Sequence, residues 1–418
     1  MEYKKIIKDD KTFHIIKTDR FKSVDFVIYF TKKFSKKNIP YYTLLKRNLV
    51  YTSKKYNTKN KIAIKGEELY GCSVSTSSMI SGALESFIIS TSFVNPKYTE
   101  ESMFKESIDF FYEVLFNPNV EDNKFNEKYY EIIKSDLISF IKSEKDNPRS
   151  YAAKKFNEIM FKGLPTAHSN IPTIKQIEEV DCGKLYDFYK ELFDGSYKID
   201  VTIYGDIEDS YVDYIEEKFK ELKGSDKKFD VVVTPKIEPK VNETVETLHF
   251  NQSKLYMGYY LKNFTYHEIN HVMKVYNTIL GTTAKSLLFT IVRENNSLCY
   301  SINSYYAIYS QALVIYAGIN RNNYEKTVGL IEECIDKMSD RKIIEPLFEP
   351  AKKTINTMLN NYYDDAFSQF DNKYRNEFYN VEDNETLREE INKVTIDEVI
   401  ELNKKIQLST IYLLKGDN

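Results

Sequence analysis

The pentapeptide His267-Glu268-Ile269-Asn270-His271 holds the residue types of a zinc hydrolase at the spacing that chemistry needs. On a helix, imidazoles four residues apart share one face, and the glutamate beside the first can activate a metal-bound water. Histidine is scarce, with five in the chain (His14, His168, His249, His267 and His271), so the pattern is not trivial. Two features weigh against a metal centre. No third ligand follows at a recognised spacing, neither an x-x-G-x-x-H continuation nor an evident Glu-bearing partner helix. Thr265 and Glu268 also read as a helix cap, with Thr265 capping and Glu268 third in the helix. The expectation is a solvent-facing helix start without metal. Zinc held by His267 and His271, with Glu268 as base, is the alternative.

Other reactive side chains point to less. Cys299 has no His or Asp near it in sequence and reads as a buried thiol rather than a nucleophile. The pairs Lys32-Lys33, Lys36-Lys37 and Lys54-Lys55 read as solvated surface, or as a basic rim for an acidic partner. The 34 tyrosines are dispersed and form no stacking platform for single-stranded nucleic acid.

The background to these residues is an ordinary globular chain. Its 418 residues are 42% hydrophobic and 29% charged, enough for two or three domains. Fifty-nine basic and 62 acidic residues leave a net charge of −3, which argues against nucleic-acid and anionic-membrane partners. The start of the chain carries no long apolar stretch, and no apolar run is long enough to span a bilayer. Cys72, Cys182, Cys299 and Cys334 are scattered without a C-x-x-C pair. A cytoplasmic protein with reduced thiols is the expectation.

The chain repeats itself. Leu69-Tyr-Gly-Cys-Ser-Val-Ser-Thr76 resembles Leu298-Cys-Tyr-Ser-Ile-Asn-Ser304, and Ile80-Ser-Gly-Ala-Leu resembles Tyr309-Ser-Gln-Ala-Leu. Val94-Asn-Pro-Lys-Tyr98 then matches Ile319 to Tyr324, each ahead of a helix-like stretch (101–116 and 325–338). Apolar strands running into Gly205-Asp206 and Gly416-Asp417 end the two halves. A period of roughly 210–230 residues is too long for a solenoid and means domain duplication. The β-branched and aromatic runs 87–94 and 313–319 predict strands, and 124–145 and 348–378 predict long helices. The fold class is α+β: two homologous halves, each a mixed, largely antiparallel sheet flanked by helices. The expected domains are residues 1–222 and 244–418, joined by a linker over 223–243 that contains Pro235 and Pro239.

With these motifs in place, the chain resembles the pitrilysin/insulinase-like zinc peptidases along essentially its whole length. Glu68 to Thr76 and Leu287 to Tyr300 are similar to a bacterial branch whose members occur as metal-free partners of an active zinc subunit, some associated with elongation factor P modification. Active members carry H-x-x-E-H on a first-half helix. The resemblance puts Thr43 at the first His, Lys46 at the general base and Arg47 at the second His. None can hold zinc, and two cations repel it. The third-ligand position falls near Ile133, with Glu131 the nearest carboxylate but on another helix face. The repeat also sets the lost segment opposite Val272 to Tyr276, so that His267 to His271 precedes it. Active members further use an Arg and a Tyr seven residues apart to hold the substrate carbonyl. Arg293 and Tyr300 have that spacing, and both are suited to donate hydrogen bonds to developing negative charge.

The resemblance thus implies a degenerate subunit without a cofactor of its own. A zinc-bearing paralogue would supply the zinc, and peptide or protein substrates would be bound by strand addition and by Arg293 and Tyr300. The alternatives are an independent zinc peptidase using His267, Glu268 and His271, and a purely structural scaffold.

Overall fold

The computed structural model describes residues 2–8, 10–236, 238, 240–362, 366–379 and 382–417. The chain divides into two compact units: Met1–Ser143 with Ser169–Val231 and Asp364–Asn380, and Glu144–His168 with Val232–Tyr363 and Val381–Asn418.

The first unit is built on strands β1 (Glu2–Lys8), β2 (Lys11–Lys17), β3 (Ser23–Lys33), β4 (Ser73–Ser81), β5 (Leu84–Val94) and β6 (Lys198–Gly205). They form one sheet in the order β1-β2-β6-β3-β5-β4, antiparallel except where β2 meets β6. The second unit has β7 (Asn242–Leu248), β8 (Ser253–Leu261), β9 (Cys299–Ala307), β10 (Ala312–Ile319) and β11 (Ile406–Gly416) in the order β9-β10-β8-β11-β7. Here too a single pair, β11 with β7, is parallel. Superposing the orders maps β4, β5, β3, β6 and β2 onto β9, β10, β8, β11 and β7. The repeat in the sequence is therefore a repeat of topology, with β1 an addition. Its quoted segments fall on equivalent places, including the β4–β5 and β9–β10 hairpins.

Each sheet buries both faces. On β3, Val24, Phe26, Ile28 and Phe30 join the main core with the 103–116 and 182–191 helices, while Val27 and Tyr29 join a smaller cluster on the opposite face. On β8, Leu255, Met257, Tyr259 and Leu261 face one core and Tyr256 and Tyr260 another. Such strands read as continuous apolar runs and need cover on two sides.

The second cover comes from distant sequence. Helix Pro148–Met160 lies in the second unit, where Tyr151 and Phe156 pack with Tyr256 and Tyr316, and the Tyr260 hydroxyl donates to the Met160 carbonyl at 2.6 Å. Gly258 makes room for it, since a Cβ there would lie 2.8 Å from Phe156 Cζ. Helix Ala366–Tyr379 lies in the first unit. Fully buried Tyr374 stacks on Tyr29 at 3.9 Å between ring centroids and bonds to Thr31 Oγ1 and Ser86 Oγ, each at 2.8 Å.

The 348–378 stretch that reads as one helix is thus two, Arg341–Asn361 and Ala366–Tyr379, serving different units; residues 363–365 lie outside those described. Apolar periodicity continues across both because each buries a face, and periodicity does not say against what. In the expected linker, residues 223–236 form neither helix nor strand, Pro239 lies outside the described residues, and β7 starts at Asn242. Among the described residues no helix is long and apolar enough to cross a membrane.

Tyr374→Ala should cost about 3–5 kcal/mol as a cavity between helix and sheet. Tyr374→Phe should cost only about 1 kcal/mol, because Thr31 and Ser86 remain bonded to each other at 3.0 Å. Chemical denaturation of the two variants measures the difference.

Candidate functional site

Helix Ile39–Leu49 starts with Pro40 in its first turn and ends with Lys46 and Arg47 in its last, where cations complement the exposed carbonyls. Thr43 is buried, and its hydroxyl donates to the Ile39 carbonyl at 2.8 Å and the Asn170 carbonyl at 2.9 Å. It faces protein, not an open site. Lys46 and Arg47 line a groove of about 510 Å³ together with Tyr51, Thr76, Ile133 and Asp136. Thr76, on edge strand β4, donates its hydroxyl to the Lys46 carbonyl. Burial lowers the Lys46 amine below its usual range, and neighbouring Arg47 adds to the effect. Arg47 sets its guanidinium 5.8 Å from the centre of the Phe140 ring.

Ile133 lines this groove from helix Glu127–Lys142, whereas Glu131 is exposed. Sequence reasoning missed Asp136. It lies three residues past Ile133, one helical turn, and that spacing was the available signal. The groove is lined by three cations (Lys46, Arg47 and Lys59), an isoleucine and one carboxylate, a set without imidazole that does not suit zinc.

Arg293 and Tyr300 come together in the second unit. Arg293 belongs to the π-helical stretch Phe289–Asn295, which ends in a tight turn with Ser297 at φ 53°. The β9–β10 register shifts between Cys299 and Ser301, so Tyr300 occupies a β-bulge at the mouth of an edge strand. Bulges re-aim side chains, and this ring is 78% exposed. The Arg293 guanidinium lies 4.4 Å from the Phe289 ring centre and 5.6 Å from that of Tyr300. An exposed phenol is thus held beside a cation, with both free to aim donors at one oxygen. Cys299 is buried, which pushes its thiol up to about 11 against the opposing pull of Arg293. That thiol is inert at neutral pH.

His267 to His271 open a helix as the cap reading expects. Thr265 Oγ1 accepts from the Glu268 amide at 3.2 Å, and the Glu268 carboxylate accepts from the Thr265 amide at 2.7 Å. Glu268 also takes Lys405 Nζ at 2.7 Å. Burial raises its carboxyl, but Lys405 and Thr265 outweigh that and hold it below the usual range. Glu268 is engaged elsewhere and is not poised as a base. The helix start is not solvent-facing throughout, because His271 is 2% exposed. The expected absence of a Glu-bearing partner is also overturned. Glu390, on helix Asn384–Lys393, brings a donor atom within 4.8 Å of one from each of His267 and His271. It is 119 residues beyond His271, and no local spacing signals it.

The profile of the peptidase M16 inactive domain matches residues 180–355. The chain is 25% identical, over 97% of its length and 96% of that protein's, to the probable inactive metalloprotease YmfF of Bacillus subtilis (strain 168). It is similar to the M16 peptidases, the pitrilysin/insulinase-like family. The uncharacterized zinc protease YmxG of the same organism is 25% identical over 215 residues, 50% of this chain and 51% of that one. A conserved protein from Enterococcus faecalis V583 shares the fold at a TM-score of 0.90 with 23% identity, covering 100% of this chain and 99% of that chain. With a match to the inactive-domain profile and a relative named inactive, the protein is peptidase-like and catalytically degenerate.

Tyr300→Ala should leave stability within about 0.5 kcal/mol, as for surface sites in general. Leu288→Ala, at a fully buried position on the same segment, should cost about 2–5 kcal/mol. Thermal unfolding of both variants separates an exposed residue kept for contact with others from one kept for packing.

Proposed function

We propose that this chain is the substrate-handling subunit of a two-chain peptidase. It pairs with a zinc-bearing paralogue, which provides H-x-x-E-H and the activated water, and contributes Arg293 and Tyr300 to hold the carbonyl of a bound peptide. The observation that carries this reading is the Arg293–Tyr300 pair itself. A bulge turns a phenol into solvent and a guanidinium is laid beside it, an arrangement that packing alone does not call for.

Two further observations support it. Edge strands β4 and β9 leave one side of each sheet unpaired within its unit, and β4 runs beside the Lys46–Arg47 groove. An extended peptide can add to such an edge through main-chain hydrogen bonds. Moreover, one organism carries both relatives, a protein named a probable inactive metalloprotease and one named a zinc protease. A chain named inactive and one named a zinc protease thus coexist there.

The chain alone should not hydrolyse peptides. Co-expressed with the zinc-bearing paralogue of its own genome, it should form a hetero-oligomer with peptidase activity. Arg293→Ala should lower that activity by about 10²-fold, the usual scale for one lost oxyanion donor, without dissociating the complex. An intact complex with unchanged activity would instead establish a scaffold.

A further inference from the structure

We infer that the second unit holds a non-catalytic divalent zinc site formed by His267, His271 and Glu390.

The starting point is hydrogen-bond bookkeeping. His267 Nε2 lies 3.1 Å from Glu398 Oε1, and His271 Nε2 lies 2.7 Å from Glu382 Oε2. An ionised carboxylate only accepts, so each ring donates through Nε2. That leaves both Nδ1 atoms as the remaining positions, and they face each other at 2.9 Å. Two imidazole lone pairs at that distance repel unless something positive lies between them. A single proton between them can do this for one ring pair. A zinc ion performs the same task for both rings at once.

The surroundings match what zinc requires. Zinc takes nitrogen and carboxylate oxygen ligands at about 2.0–2.2 Å, which sets neighbouring tetrahedral nitrogens about 3.3 Å apart. A small rotation of either ring provides that separation. Glu390 supplies the third donor, a carboxylate oxygen within 4.8 Å of one ring nitrogen of each histidine, and one of its oxygens accepts from Lys393 Nζ at 2.6 Å. Glu382 and Glu398 already occupy the outer positions, the carboxylate–histidine–metal arrangement that fixes ring orientation and raises ligand basicity. His271 is buried, so the ligand set is held by the fold. Two imidazoles and a carboxylate suit zinc better than magnesium or calcium, which prefer oxygen throughout.

Such a site is a staple rather than an active centre. The carboxylate that hydrolysis would need, Glu268, is tied to Lys405 and the Thr265 amide. The ligands instead join the start of the 266–282 helix to residues 382–390, the stretch that follows the chain's return from the exchanged helix Ala366–Tyr379. A metal here fixes that return. Binding to the folded form alone stabilises it.

The test uses the full-length chain stripped with EDTA and titrated with zinc against a chromophoric chelator, with cobalt(II) as a spectroscopic substitute. One zinc per chain should bind and raise the thermal midpoint, and cobalt should give the intense visible bands of a four-coordinate site. His271→Ala should lose both signals. Glu390→Gln, at a partly exposed position that tolerates the change, should weaken binding by more than tenfold. Glu382→Gln should weaken it about 10–100-fold, as outer-shell changes do. His249→Ala, remote from the cluster in sequence, should bind as the native chain does. No stoichiometric zinc, or native affinity in both His271→Ala and Glu390→Gln, would overturn the site. Peptide hydrolysis by the zinc-loaded chain alone, abolished in Glu268→Gln, would overturn its non-catalytic role.

Discussion

Both sheets of this protein are apolar on both faces, and that constraint organises the rest of the chain. Val24, Phe26, Ile28 and Phe30 point one way from β3 while Val27 and Tyr29 point the other. Burying one face would leave the second in water, at a cost of about 25 cal/mol for each Å² of apolar surface. The chain meets this by exchange. Helix Pro148–Met160 from the first half of the sequence covers the second sheet, and helix Ala366–Tyr379 from the second half covers the first. Neither sheet is finished without chain from the other half of the sequence. Cutting the protein at its linker would therefore remove a wall from each unit.

The same framework explains how a catalytic centre can be lost without disturbing the fold. Helix Ile39–Leu49 is held by buried Leu44, Leu45 and Leu49 and by the Thr43 hydroxyl, none of which needs a metal. Lys46 and Arg47 suit the carbonyl end of that helix. Lysine and arginine at these positions are thus neutral or favourable for the helix itself. The groove beside them is lined by cations. The Arg293–Tyr300 pair stands apart from this logic, because a ring 78% exposed contributes little to stability. Packing alone does not account for it.

Much of this was legible in the sequence. The ordered matches between Leu69–Tyr98 and Leu298–Tyr324 disclosed the duplication, since strand and hairpin positions are set by local patterns that survive divergence. The cap formed by Thr265 and Glu268 was legible for the same reason: it spans four residues. What could not be read is whatever depends on distant chain. The 348–378 periodicity did not reveal that its two parts serve different units, because an apolar stripe says that a face is buried and not against what. Glu390 could not be paired with His267 and His271 for the same reason. Asp136 was legible too, since it lies one helical turn beyond Ile133.

Whether this degenerate peptidase-like chain handles peptide through Arg293 and Tyr300 can be read from a photo-crosslinking residue at position 300, in the complex with the zinc-bearing paralogue and an inactivated peptide substrate. Strong cross-linking of the peptide to position 300 is expected, with only background from the same probe at Tyr98, another exposed tyrosine. Equal yields at the two positions, or cross-links from position 300 only to protein, would rule the proposed role out.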